Sequence, residues 1–327
     1  LLSDPALDFD RLLAIKRKKA PARLVRGGYH DDLGLPVNFC GSSSINPVGW
    51  DNEIGILSLR DGQWRTFYRP EKPAIVNDID LHFGAKKLLF SSAGSNGRWQ
   101  VFEINADGTG LRQVSQGEFQ DVDNYDPIYL PDGRIVFNSS ATFAGVPCFG
   151  GTDYVANLHI MNADGTGVRR LTFEQDNDWH PTMLANGQVL YLRWEYTDSA
   201  HYFSRILMHM NPDGTNQRET YGSNSYWPNT MFYPKPLPNS PSKVIAVVSG
   251  HHGTCRAGEL YIFDPNKSRQ ETEGVVQRVA PAMASKPSLG QIKDYLVDPL
   301  WPKFLQPYPI SDKAFLVSAR FSESDSW

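Results

Sequence analysis

The 327-residue sequence predicts an all-β fold, a six-bladed β-propeller of four-stranded antiparallel blades, with the last blade incomplete. Three observations carry this. The phrase Asn-x-Asp-Gly-Thr occurs as Asn105-Ala106-Asp107-Gly108-Thr109, Asn162-Ala163-Asp164-Gly165-Thr166 and Asn211-Pro212-Asp213-Gly214-Thr215. Each copy lies between short alternating apolar runs, such as Leu158-His159-Ile160-Met161 and Val168-Arg169-Arg170-Leu171, which is the pattern of a hairpin with a glycine-requiring turn. The copies recur roughly 50 residues apart, the period of a propeller blade or another array.

A second repeat sets the strand order. Tyr125-Asp126-Pro127 leads through Pro131-Asp132-Gly133 into Ile135-Val136-Phe137, and Trp179-His180-Pro181 leads through Asn186-Gly187 into Val189-Leu190-Tyr191. The same frame is read at Ile79-Asp80-Leu81, Tyr226-Trp227-Pro228 and Leu300-Trp301-Pro302. Each unit is therefore strand A, turn, strand B, loop, strand C, Asp-Gly hairpin, strand D. Blade one has strand B at residues 9–16 and strands C and D at 54–68. Blades two to five cover roughly 76–115, 122–173, 176–221 and 224–280, and blade six starts near Val297 and is cut at Trp327. Residues 1–327 are expected to form one propeller domain, a piece of a longer polypeptide, since an open propeller would leave strand edges unpaired.

Composition excludes some functions. A formal net charge of −4 gives no basis for binding nucleic acid or an anionic membrane, and no apolar run is long enough to span a bilayer. Three cysteines, Cys40, Cys148 and Cys255, are too few for a disulfide framework. Nucleophile-elbow, phosphate-loop and dinucleotide motifs are absent from the sequence.

Propeller topology puts strand-A starts, strand-B ends and B–C loops on one face, and the Asp-Gly-Thr turns on the other. The unusual residues fall on the first face. The strand-A column reads Asp80, Asp126, His180, Trp227 and Trp301, and the strand-B ends and B–C loops carry Ser140, Cys148, Arg193, Glu195, His251, His252 and Arg320. Two chemistries suit this set. Cys148, His180, His251 and His252, with Asp178, offer donors for zinc or another divalent ion. Asp126, Asp178, Arg193, Glu195 and Trp227 offer charged groups among aromatic rings for a small polar ligand or saccharide. Arg193 and Glu195 are the candidates for proton transfer or charge stabilisation if a reaction is catalysed. Adjacent strand residues face opposite ways, so only one of His251 and His252 is expected to face the ligand. A calcium reading takes Asp121, Asp123 and Asp126. His82, His159, His201 and His209 are read as structural.

The blade phrase resembles the TolB-type (PD40, WD40-like) β-propellers. The runs Glu174-Gln175-Asp176-Asn177-Asp178-Trp179, Tyr191-Leu192-Arg193-Trp194-Glu195-Tyr196, Tyr221-Gly222-Ser223-Asn224-Ser225-Tyr226-Trp227-Pro228 and Ser249-Gly250-His251-His252-Gly253 resemble the hydrazine synthase alpha-subunit-related proteins. That resemblance implies a six-bladed propeller beside other domains in an exported bacterial protein, periplasmic or extracellular. The Cys-x-x-Cys-His signature of c-type haem is absent from the sequence, so haem is not expected in this chain. The expected function is a binding or scaffold propeller that works with other domains of the polypeptide or a partner subunit. The alternatives are a metal-dependent lyase or hydrolase acting on a saccharide-like substrate, and a redox accessory that docks a haem protein.

Overall fold

A computed structural model describes residues 7–25, 29–116, 119–147, 150–151, 153–196, 205–282 and 284–327. The chain divides into two compact units. One is Leu1–Leu35, Ser42–Phe143 and Leu158–Arg170; the other is Pro36–Gly41, Ala144–Asn157 and Leu171–Trp327.

The first unit contains three successive antiparallel sheets. β1 (Arg11–Arg17), β2 (Asn52–Ser58) and β3 (Trp64–Tyr68) form a three-stranded sheet. β4 (Val76–Leu81), β5 (Lys87–Ala93), β6 (Trp99–Asn105) and β7 (Arg112–Gln113) form a four-stranded one, as do β8 (Asn124–Tyr129), β9 (Ile135–Ser139), β10 (Asn157–Met161) and β11 (Arg169–Arg170). In the second unit the blades are β12 (Asp178–Met183), β13 (Val189–Trp194), β14 (Arg205–Met210) and β15 (Arg218–Tyr221), then β16 (Thr230–Pro236), β17 (Val244–Ser249), β18 (Glu259–Phe263) and β19 (Val275–Val279). A two-stranded sheet of β20 (Lys303–Pro309) and β21 (Phe315–Arg320) ends the series. The up-and-down order within each sheet is that of propeller blades, and the short first and last sheets match the sequence reading.

Strand alternation explains how blades stack. Leu88 and Phe90 of β5 pack with Ile54 and Val76 towards the preceding sheet. Leu89 between them packs with Tyr129, Ile135 and Phe137 of the following one. A strand covered on both faces has no polar side, which is why β13 and β17 are buried along their whole length. The Asp-Gly-Thr turns are closed by local chemistry. Asp107 Oδ1 accepts from the Thr109 backbone N–H at 2.9 Å and from its hydroxyl at 2.7 Å. Asp164–Thr166 and Asp213–Thr215 repeat both bonds. The following glycines have φ of 86–88°, a region closed to most side chains.

One repeated feature was misregistered in the sequence. Strand A of five sheets carries a bulge, at the register breaks 77/80, 125/128, 179/182, 232/235 and 305/308. The bulged residue has positive φ in each: Asp78 (55°), Asp126 (56°), His180 (54°), Tyr233 (52°) and Gln306 (48°). The aligned column is thus Asp78, Asp126, His180, Tyr233, Gln306, in place of the expected Asp80, Asp126, His180, Trp227, Trp301. Proline follows the bulge residue in four of the five, as Pro127, Pro181, Pro234 and Pro307. Without an N–H, proline is suited to the rung where the ladder is interrupted. Trp227-Pro228 and Trp301-Pro302 are aromatic-proline steps of the connections before β16 and β20, and they mimicked the true step.

Candidate ligand-binding site

β13 ends at Trp194, and its alternation sends Arg193 and Trp194 to opposite faces. On one face the Arg193 guanidinium donates from Nε to Asp178 Oδ1 at 3.0 Å and from Nη2 to Gln217 Oε1 at 3.1 Å and Tyr191 OH at 3.2 Å. Its Nη1 lies 3.6 Å from Glu174, and the side chain is only 10% exposed. Asp178 is fully buried and also accepts from Asn157 Nδ2 at 3.3 Å. The pair is an internal crosslink of the blade edge. Glu195 follows β13 with an exposed side chain. Trp227 is fully buried against Tyr261 and Phe263, so the structure assigns it to packing and offers no indole face to a ligand.

The Trp194 face holds a different group of residues. Arg205, at the start of β14, lays its guanidinium 4.6 Å from the Trp194 ring centre and places Nη1 3.1 Å from His251 Nδ1. A guanidinium can only donate, so Nδ1 accepts and the imidazole proton sits on Nε2. Burial first, then the charges of Arg205 and His252, push the His251 pKa down to about 2. His251 is therefore a neutral, buried base.

His252 points the other way and is 40% exposed. Its Nδ1 lies 2.9 Å from Asp294 Oδ2 and 3.0 Å from Oδ1, and its backbone N–H donates to Oδ1 at 3.1 Å. Tyr295 stacks on the ring at 5.8 Å and Phe39 meets it edge-on at 5.0 Å. With Nδ1 facing the carboxylate and carrying its proton, the neutral form of the ring keeps a lone pair on Nε2. That atom makes no hydrogen bond among the described residues and can accept one from a hydroxyl or take its proton.

The local backbone explains why the sequence reads Ser249-Gly250-His251-His252-Gly253. A Cβ on Gly250 would stand 2.4 Å from the Asp294 carbonyl oxygen, so only glycine lets residues 294–296 cross here. Gly253 has φ of 94° and lies against the Asp298 carboxylate, which accepts from the Thr254 N–H at 2.8 Å. Asn38 ties the loop from the other side, donating to the Gly250 carbonyl at 2.8 Å and accepting from the Arg256 N–H at 2.7 Å.

The remaining expected residues lie apart. His180 packs on Tyr233 at 4.4 Å and on Phe232 at 6.0 Å. Asp126 approaches Asp78, its N–H donating to Asp78 Oδ2 at 3.2 Å, while Asp123 pairs with Arg98. Cys148 lies outside the described residues. Among the described residues no group of three or more His, Cys, Asp or Glu side chains is placed to hold a metal ion. Sequence reasoning missed Phe39, Arg205, Asp294 and Tyr295. These come from distant stretches without the blade repeat or from a strand start, and no periodic signal marks them.

Comparison with known proteins bears on the fold. The chain aligns over 95% of its length with Kuenenia stuttgartiensis hydrazine synthase, at 15% identity and a TM-score of 0.69. The fold is shared with hydrazine synthase. The chain spans 42% of that hydrazine synthase chain, less than half its length. TolB from Acinetobacter baumannii matches at 13% identity and a TM-score of 0.45, over 78% of this chain and 61% of its own. An oligogalacturonate lyase in complex with manganese matches at 13% identity and 0.45, over 83% and 72%. No protein-family model matches the chain, and no curated protein sequence does. No helix among the described residues is long and apolar enough to cross a membrane.

Proposed function

We propose that the chain is a β-propeller scaffold of an exported protein, presenting a site for a hydroxylated ligand of the saccharide class at His252, Asp294, Phe39 and Tyr295. The observation that carries this reading is the half-exposed His252–Asp294 pair, whose Nε2 is left as an acceptor on a ring that contacts Phe39 and Tyr295. Sugar hydroxyls donate to such an atom, and sugar C–H faces stack on aromatic rings. His251, Arg205 and Asn38 hold the loop behind it. The resemblance to exported propeller proteins supports the location.

Titration calorimetry with the neutral trisaccharides maltotriose and cellotriose tests the reading. At least one is expected to bind the chain with a Kd of about 1 mM, near −4 kcal/mol. His252→Ala should remove that binding, and Asp294→Asn should weaken it, with thermal unfolding of both variants little changed. Absence of heat from either sugar up to about 20 mM, or equal binding by His252→Ala, would overturn it.

A further inference from the structure

The opposite strand ends of the second unit line an open cavity of about 190 Å³. Its walls are the β12–β13 hairpin (Asn186, Gln188), His209 of β14, Thr220 of β15, the β16–β17 loop (Ser240, Lys243) and the turn after β18 that carries Arg269. None of the lining residues is acidic, in a chain whose formal charge is −4. We propose that this cavity is a binding site for a small oxyanion, the carboxylate or phosphate group of an organic ligand.

The lining mixes apolar residues (Leu184, Pro236, Pro241, Val244, Pro265) with three cationic or donor side chains, His209, Lys243 and Arg269. Lys243 Nζ makes no hydrogen bond or ion pair among the described residues, and Arg269 has only a loose partner, Glu219 at 3.9 Å. His209 Nδ1 lies 2.8 Å from the Thr220 hydroxyl. With that hydroxyl donating, the ring proton sits on Nε2, which makes no other hydrogen bond among the described residues and is free to donate to an anion. Burial first, then the positive field of Arg269 and Arg218, lower the His209 pKa. The carboxylates that flank the cavity are Glu219, set against Arg269, and Asp264, which accepts from the Ser242 hydroxyl at 2.8 Å. An oxyanion between Lys243, Arg269 and His209 relieves the field with charge-assisted bonds. The saccharide reading concerns the other end of β17, so the two stand or fall separately.

Histidine-ring NMR of the full chain, titrated at pH 7 with inorganic phosphate and separately with acetate, tests the proposal. The His209 resonances should shift saturably with a Kd of about 1–10 mM, the His209 pKa should rise in the bound state, and His252 should be unmoved. Arg269→Gln and Lys243→Gln should each weaken binding about fivefold or more with thermal unfolding little changed. The tighter of the two ions names the source as phosphate ester or carboxylate. A linear, unsaturated response to both ions up to about 50 mM, or unchanged affinity in both variants, would overturn it.

Discussion

His251 and His252 are neighbours with opposite chemistry, and the difference is testable by pH. His251 is held neutral in the fold down to about pH 2, whereas an unfolded histidine takes up a proton near 6.5. Between those values the unfolded state binds more protons, so the contribution is full above about pH 6.5 and is lost as pH falls. Urea unfolding should show the chain losing up to about 2 kcal/mol more between pH 6.5 and 5 than His251→Gln, which keeps an acceptor for Arg205. Parallel losses would contradict the buried-base assignment. Asp78 has the reverse sign. Burial first, then the neighbouring Asp126, raise its pKa, with Ser91 and Arg17 pulling against them. A raised carboxyl gives stability that is present below the unfolded value near 3.9 and is lost as pH rises through the folded value. Asp78→Asn, which cannot ionise, should therefore gain on the parent by about 1–2 kcal/mol from pH 4 to pH 8, read by the same unfolding curves.

Among the elements, hairpins were legible and bulges were not. The Asp-Gly-Thr turn is specified within five residues, by an Asp side chain that caps its own turn and a glycine with positive φ, so reading it needs no tertiary information. The strand-A bulge is specified by a ladder break and by what stacks beside it. Its only local mark is the following proline, which Trp227-Pro228 and Trp301-Pro302 also carry. The hairpin glycines also differ by context. A Cβ on Gly108 would meet open space, while one on Gly165 would stand 2.1 Å from the Val114 carbonyl oxygen. Both have φ near 88°, at 88° and 87°. Gly108→Ala should cost about 1–2 kcal/mol from backbone strain alone, and Gly165→Ala about 1–3 kcal/mol more, measured by chemical denaturation. Equal costs would mean that the close approach of the two hairpins is not tight.

For the whole molecule, the period of the repeats foretold the strand order and the short end sheets, because every blade solves the same two-faced packing problem. The site was only half legible. The Gly-His-His-Gly run was visible as an oddity in a strand-B end, but Phe39 and Asp294 reach it from segments about 200 and 40 residues away in sequence, outside the repeat. Arg193 and Asp178 are expected from sequence to meet a ligand, yet the Arg193 charge is spent on Asp178 and, at longer range, on Glu174. The central functional claim is most directly tested by a crystal structure of the chain soaked with cellotriose or maltotriose. It predicts a sugar hydroxyl within about 3 Å of His252 Nε2 and a sugar face against Tyr295 or Phe39. A sugar bound elsewhere, or a His252 surface occupied only by solvent at saturating sugar, would contradict it.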